Sequence, residues 1–133
     1  MESLIINPTA GTPHISFDLE TGIFELSGTS RPEDVTKFYK PVIEWLERLN
    51  NSVLSAKEAG PESEKIKLVF RLEYFNTASS KFILKIIRIV SSFREAGKNI
   101  SVCWYYEAGD DKMKEDGEYL AEAIDLEFDF LEV

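Results

Sequence analysis

Within the six residues Asn76-Thr77-Ala78-Ser79-Ser80-Lys81 stand three hydroxyls, an amide and an ammonium group. They fall where an apolar run of strand character, Ile66 to Tyr74, gives way to one of helical character. At such a corner a hydroxyl or amide accepts hydrogen bonds from the unpaired N–H groups of the first helical turn. The same N–H groups and the helix dipole favour an anion. One cap satisfies a helix start, so several polar side chains in a row leave a hydroxyl over for other chemistry. A phosphate on Thr77 would add about −1.5 to −2 charges there. The competing reading makes Asn76, Thr77 and Ser79 nothing more than caps, and local chemistry leaves both open.

Other chemistry is poorly provided for. His14 is the only histidine, at the start of a strand pattern just after Pro13; a surface or hairpin position is expected. Cys103, the only cysteine, sits between Val102 and Trp104 and reads as a small buried hydrophobe. It can form no internal disulfide and belongs to no zinc-type cluster. Gly11-Thr12-Pro13 and Gly28-Thr29-Ser30 lack the spacing of a phosphate-binding loop. Asp110, Asp111, Glu115, Asp116 and Glu118 lack the alternation of a calcium loop and suit the acidic start of a helix. The expectation is a protein that is not an enzyme and holds no cofactor or metal.

The chain has 133 residues, 44% of them hydrophobic and 29% charged, which suits one domain over residues 1–133. Its net charge of −9, from 24 acidic against 15 basic residues, opposes nucleic acid and anionic membranes as partners. No apolar run approaches the roughly 20 residues of a membrane span. Met1 to Pro13 lacks the basic start of a signal peptide. A cytoplasmic protein is expected.

The elements that would position the corner follow from periodicity. Leu4–Ile6, His14–Asp18 and Ile23–Leu26 read as strands, the last two joined by the turn Glu20-Thr21-Gly22. Ser30-Arg31-Pro32-Glu33 reads as a capping box with Pro in the first turn. A helical apolar stripe runs from Val35 to Leu49, which Pro41 should kink or split. Lys57 to Lys65 reads as a surface loop. Ile66–Tyr74 follows as a strand with Leu68, Phe70, Leu72 and Tyr74 on one face, and then a helix from Ser79 or Ser80 to Ala96 closed by Gly97. That helix is apolar nearly all round, with Lys85, Arg88 and Arg94 as its main charges; deep burial and a part that docks a partner both account for this. Ile100–Tyr106, an acidic loop with a helix to Ala123, and Leu126–Val133 complete the chain. The predicted class is α/β, a single mixed sheet with helices packed on it, in the order β-β-β-α-β-α-β-α-β.

Three stretches resemble the SiaC family of bacterial regulatory phosphoproteins. They are Gly11-Thr12-Pro13 through Phe17-Asp18 and Gly22; Gly28 to Glu33 with Phe38-Tyr39-Lys40-Pro41 and Trp45-Leu46; and Tyr74 to Lys81. The acidic loop and Asp125 to Phe130 also fit, whereas Asn51 to Glu64 resembles a variable loop. The resemblance implies a STAS-like fold, related to anti-sigma factor antagonists, with Thr77 as the phosphorylated threonine. Asn76, Ser79, Ser80, Lys81, Lys85 and Arg88 would flank it or meet partners. It further implies a partner kinase, a PP2C-type phosphatase, and an unmodified form that activates an effector such as a diguanylate cyclase, raising cyclic di-GMP and promoting aggregation or biofilm. The alternatives are a small-molecule- or nucleotide-binding α/β domain and an anti-sigma factor antagonist acting on transcription.

Overall fold

A computed structural model describes residues 1–55 and 65–133. Among these, six strands form one sheet in the order β1-β2-β3-β4-β5-β6. Strands β1 (Leu4–Ile6), β2 (His14–Phe17) and β3 (Ile23–Ser30) pair antiparallel. Strands β4 (Lys65–Phe75), β5 (Asn99–Tyr106) and β6 (Asp129–Glu132) continue parallel from β3. Helices α1 (Val35–Ser55), α2 (Thr77–Ser92) and α3 (Asp111–Ile124) make the crossovers. A run of right-handed crossovers that always steps the same way across a sheet places every helix on one face.

The register shows which face. Phe17, Phe24, Leu68 and Val102 lie side by side across four strands, and Ile15, Leu26, Phe70, Trp104 and Phe130 across five. These rows pack with Tyr39, Leu46 and Leu49 of α1, Ile83, Ile86, Ile87 and Val90 of α2, and Met113 and Leu120 of α3 into one core. The opposite face is polar. Arg71 bonds Glu25 at 3.0 Å and lies 3.8 Å from the ring centre of Tyr105. Cys103 is buried in that face between Val69 and Asp129, and burial pushes its thiol pKa up.

Several elements differ from expectation. Ser30 does not cap α1; it is the last residue of β3 and wholly buried. The helix starts at Val35 instead, and Asp34 Oδ1 accepts the Lys37 N–H at 3.0 Å. Pro41 does not split α1. Pro41 and Lys37, whose carbonyl loses the N–H that proline lacks, both face solvent, where a missing ladder bond costs least. Tyr74 does not share the core face with Leu72. The pairing with β3 slips between Gly28 and Thr29, leaving Glu73 without an opposite residue, and this bulge turns Tyr74 outward to 48% exposure. The second helix starts at Thr77, earlier than expected, and passes through a 3-10 turn, Phe93–Ala96, before Gly97 ends it with φ +87°. The last strand is shorter than expected, since Leu126 to Phe128 precede it. Lys65 opens β4, and Asn51 to Ser55 close α1. The rest of the expected surface loop lies outside the described residues.

Candidate functional site

The four polar side chains at the start of α2 have four different fates. Asn76 precedes the helix in extended backbone (φ −86°, ψ 171°), and its Oδ1 accepts the Ser79 N–H at 2.9 Å. It is the cap. Ser80 Oγ folds back and donates to the Thr77 carbonyl at 2.6 Å. Ser79 is fully buried and faces inward. Thr77 is exposed, and its hydroxyl makes no hydrogen bond among the described residues. The capping reading therefore accounts for Asn76 and leaves the Thr77 hydroxyl unused and open to solvent.

Below this turn runs a chain of buried hydroxyls. Ser79 Oγ donates to the Ser30 carbonyl at 3.1 Å, and Ser30 Oγ donates to Ser79 Oγ at 2.8 Å. A serine hydroxyl carries one proton, so Ser30 has none left for Tyr39. In the 2.6 Å contact between Ser30 Oγ and the Tyr39 hydroxyl, Tyr39 is thus the donor. Burial pushes the Tyr39 pKa up to about 12, against the smaller opposing effect of its bonds to Ser30 and Ser79. The phenol stays protonated and able to donate. The Ser30 carbonyl also receives the Asn76 N–H at 3.0 Å.

Outside, Thr77 borders a cleft of about 360 Å³ between α2 and α3. Phe75, Asn76, Ser80, Lys81 and Leu84 share its wall with Thr77; Lys112, Asp116, Tyr119 and Leu120 form the other side. Lys112 Nζ bonds Asp116 at 2.9 Å, and this bond is the main cause of a raised Lys112 pKa. Tyr119 is 73% exposed. Lys81 and the Lys112–Asp116 pair line the same cleft as the free hydroxyl, so its charged groups sum to a positive charge that favours an added anion. Lys85 and Arg88 are exposed farther along α2 and do not line the cleft.

Helix α3 is held in place from below. Asp110 caps it through the Met113 N–H at 3.0 Å, and Trp104 Nε1 donates to the Met113 carbonyl at 2.9 Å. Gly117 lies so close to the indole that a Cβ there would stand 2.5 Å from Trp104 Nε1. No local pattern marks Lys112, Asp116 and Tyr119 as joining the corner, because they lie over thirty positions away and only the crossover through β5 returns them. Ser30 and Tyr39 are hidden in the same way, the one inside a capping-box pattern and the other inside the apolar stripe of α1.

Among the described residues no group of three or more His, Cys, Asp or Glu side chains is placed to hold a metal ion. No described helix is long and apolar enough to cross a membrane.

The model of a family described as SiaC family regulatory phosphoprotein matches residues 6–133. An uncharacterized protein of Pseudomonas aeruginosa (strain UCBPP-PA14) is 28% identical over 128 residues, 96% of this chain and 94% of that protein. The crystal structure of apo-SiaC from Pseudomonas aeruginosa is similar with a TM-score of 0.76 and 28% identity, over 99% of this chain and 98% of that one. A chain in the crystal structure of the diguanylate cyclase SiaD in complex with its activator SiaC, from the same organism, gives a TM-score of 0.77 at 28% identity, with 97% of each chain covered.

Proposed function

The chain belongs to the SiaC family of regulatory phosphoproteins, and from this we propose that it is a switch set by phosphorylation of Thr77. Its role is regulatory and not enzymatic. A partner kinase places a phosphate on Thr77 and a PP2C-type phosphatase removes it. The unmodified form binds and activates an effector, a diguanylate cyclase, and so raises cyclic di-GMP. Likeness to an activator of such an enzyme over 97% of both chains supports the choice of effector.

One observation carries the choice of residue. Of the hydroxyls at the start of α2, only that of Thr77 is both exposed and uncommitted. A phosphate there sits over the free N–H groups of the first turn, beside Lys81 and Lys112, so the domain tolerates it without refolding. A partner that packs apolar or acidic groups over the same cleft does not. The modification thus changes partners and leaves the fold intact.

The test is intact-mass and peptide mass spectrometry on protein isolated from its own cells, with binding assays on Thr77→Glu. Phosphate on Thr77 and loss of cyclase binding by Thr77→Glu are expected. A Thr77 that carries no phosphate under any growth condition, or a Thr77→Glu protein that binds as the wild type does, would sink the reading.

A further inference from the structure

Asn76 and Ser79 bracket Thr77, and both are tied to one acceptor, the Ser30 carbonyl: the first by its N–H at 3.0 Å, the second by its hydroxyl at 3.1 Å. That carbonyl belongs to the end of β3, and Tyr39 of α1 secures the same residue through its side chain. Three elements thus converge on the turn that presents Thr77. Every hydroxyl proton of the chain is used in one direction, from Tyr39 to Ser30 to Ser79 to the Ser30 carbonyl. Removal of one donor leaves a buried oxygen of Ser30 one hydrogen bond short and loosens its hold on the turn. An apolar contact would hold these elements together as well; it would not fix the rotation of the turn about the helix axis.

We infer that Tyr39 and Ser79, acting through Ser30, are positioning residues for the phosphorylation of Thr77. The inference rests on the phosphoswitch reading above. In the transfer, Thr77 Oγ1 forms the new bond to the γ-phosphorus of ATP as the bond to the β-phosphate oxygen breaks. ADP leaves, and the hydroxyl proton passes to the kinase. Such a transfer needs the acceptor oxygen in line with the leaving oxygen, so its rate follows how firmly the acceptor is held.

The experiment measures label transferred from radiolabelled ATP to Thr77 in an extract of the native cells, alongside hydrogen exchange of the Ser79 and Ser80 amides, which bond Asn76. Tyr39→Phe is the first variant. It keeps the ring and its stacking on Phe82 (centroids 5.3 Å apart, 9° between planes) and removes only the hydroxyl. Ser79→Ala is the second and removes the tie itself. Ile86→Val, a core change in the same helix, is the control for general loss of stability. Expected are exchange about fivefold or more faster at the Ser79 and Ser80 amides in both variants, with a fall in labelling rate of similar size, and no change in labelling for Ile86→Val. If the wild type takes no label at Thr77, the phosphoswitch reading fails and this inference with it. If the wild type is labelled and both variants are labelled as fast or faster, or Ile86→Val slows labelling equally, the inference alone is overturned.

Discussion

Trp104 Nε1 donates a 2.9 Å hydrogen bond to the carbonyl of Met113, and this bond sets how closely α3 approaches the sheet. The indole is wholly buried among Phe70, Phe75 and Phe128, with ring centres 5.1 to 6.2 Å away, so it cannot step aside. The helix passes over it at Gly117, where no side chain intervenes. Since α3 carries Lys112, Asp116 and Tyr119, the indole holds one wall of the Thr77 cleft at its distance from the other.

Gly117→Ala should therefore destabilise the protein even though alanine favours helix. The helical gain is about 1 kcal/mol. A methyl 2.5 Å from an immobile ring costs about 1–3 kcal/mol or more. A lower denaturation midpoint with altered tryptophan fluorescence is expected; a midpoint above that of the wild type would refute the close packing.

Loss of the cap has a different signature. Asn76→Ala removes the acceptor of the Ser79 N–H and should cost about 1 kcal/mol in urea unfolding. Asn76→Asp keeps the acceptor, adds a favourable charge at the positive end of α2, and should be at least as stable as the wild type. Equal losses in the two variants would show that Asn76 matters for something other than capping.

Thr77 is exposed and hydrogen-bonds to nothing among the described residues, so Thr77→Ala and Thr77→Glu should both lie within about 0.5 kcal/mol of wild-type stability. Under the switch proposed above, binding to a diguanylate cyclase should separate them: retained in the alanine variant, lost in the glutamate variant. A glutamate variant with a collapsed denaturation midpoint would mean that charge acts on the fold and not on the partner.

Alkaline pH offers a probe of the buried hydroxyl chain. In the folded protein Tyr39 has its pKa raised from 10.0 to about 12, so above pH 10 the unfolded chain gives up this proton first. Stability from this group is complete below about pH 10 and declines by about 1.4 kcal/mol per pH unit as pH rises toward 12. In denaturation midpoints taken from pH 9 to 12, Tyr39→Phe should lack this share of the decline. Parallel curves for the two proteins would place the Tyr39 hydroxyl in contact with water.

Periodicity made the elements legible, and sheet register made the site. The hairpin of β2 and β3 shows in the alternation of Ile15, Phe17, Phe24 and Leu26 around Glu20-Thr21-Gly22, because period-two burial and turn chemistry are local. Alternation places Tyr74 on the core face because it assumes an unbroken ladder, and the bulge at Glu73 depends on the neighbouring strand. Ser30 looked like a cap because capping sequences are local patterns; its partners lie 9 and 49 positions away. Thr77 stood in view from the beginning, in a row of four polar side chains. The commitments of the other three became visible only with β3 and α1 alongside.

In this sheet, spatial order repeats chain order. No strand has to be inserted between two already paired, and each one that leaves the ribosome meets a free edge made by the strand before it. Synthesis from the N-terminus can therefore build the sheet in a single sweep. The tie between Ser30 and Ser79 becomes possible as soon as β4 and the first turn of α2 have emerged. The second wall of the cleft arrives only with α3, so a nascent chain would display Thr77 on its ledge before the recess beside it exists.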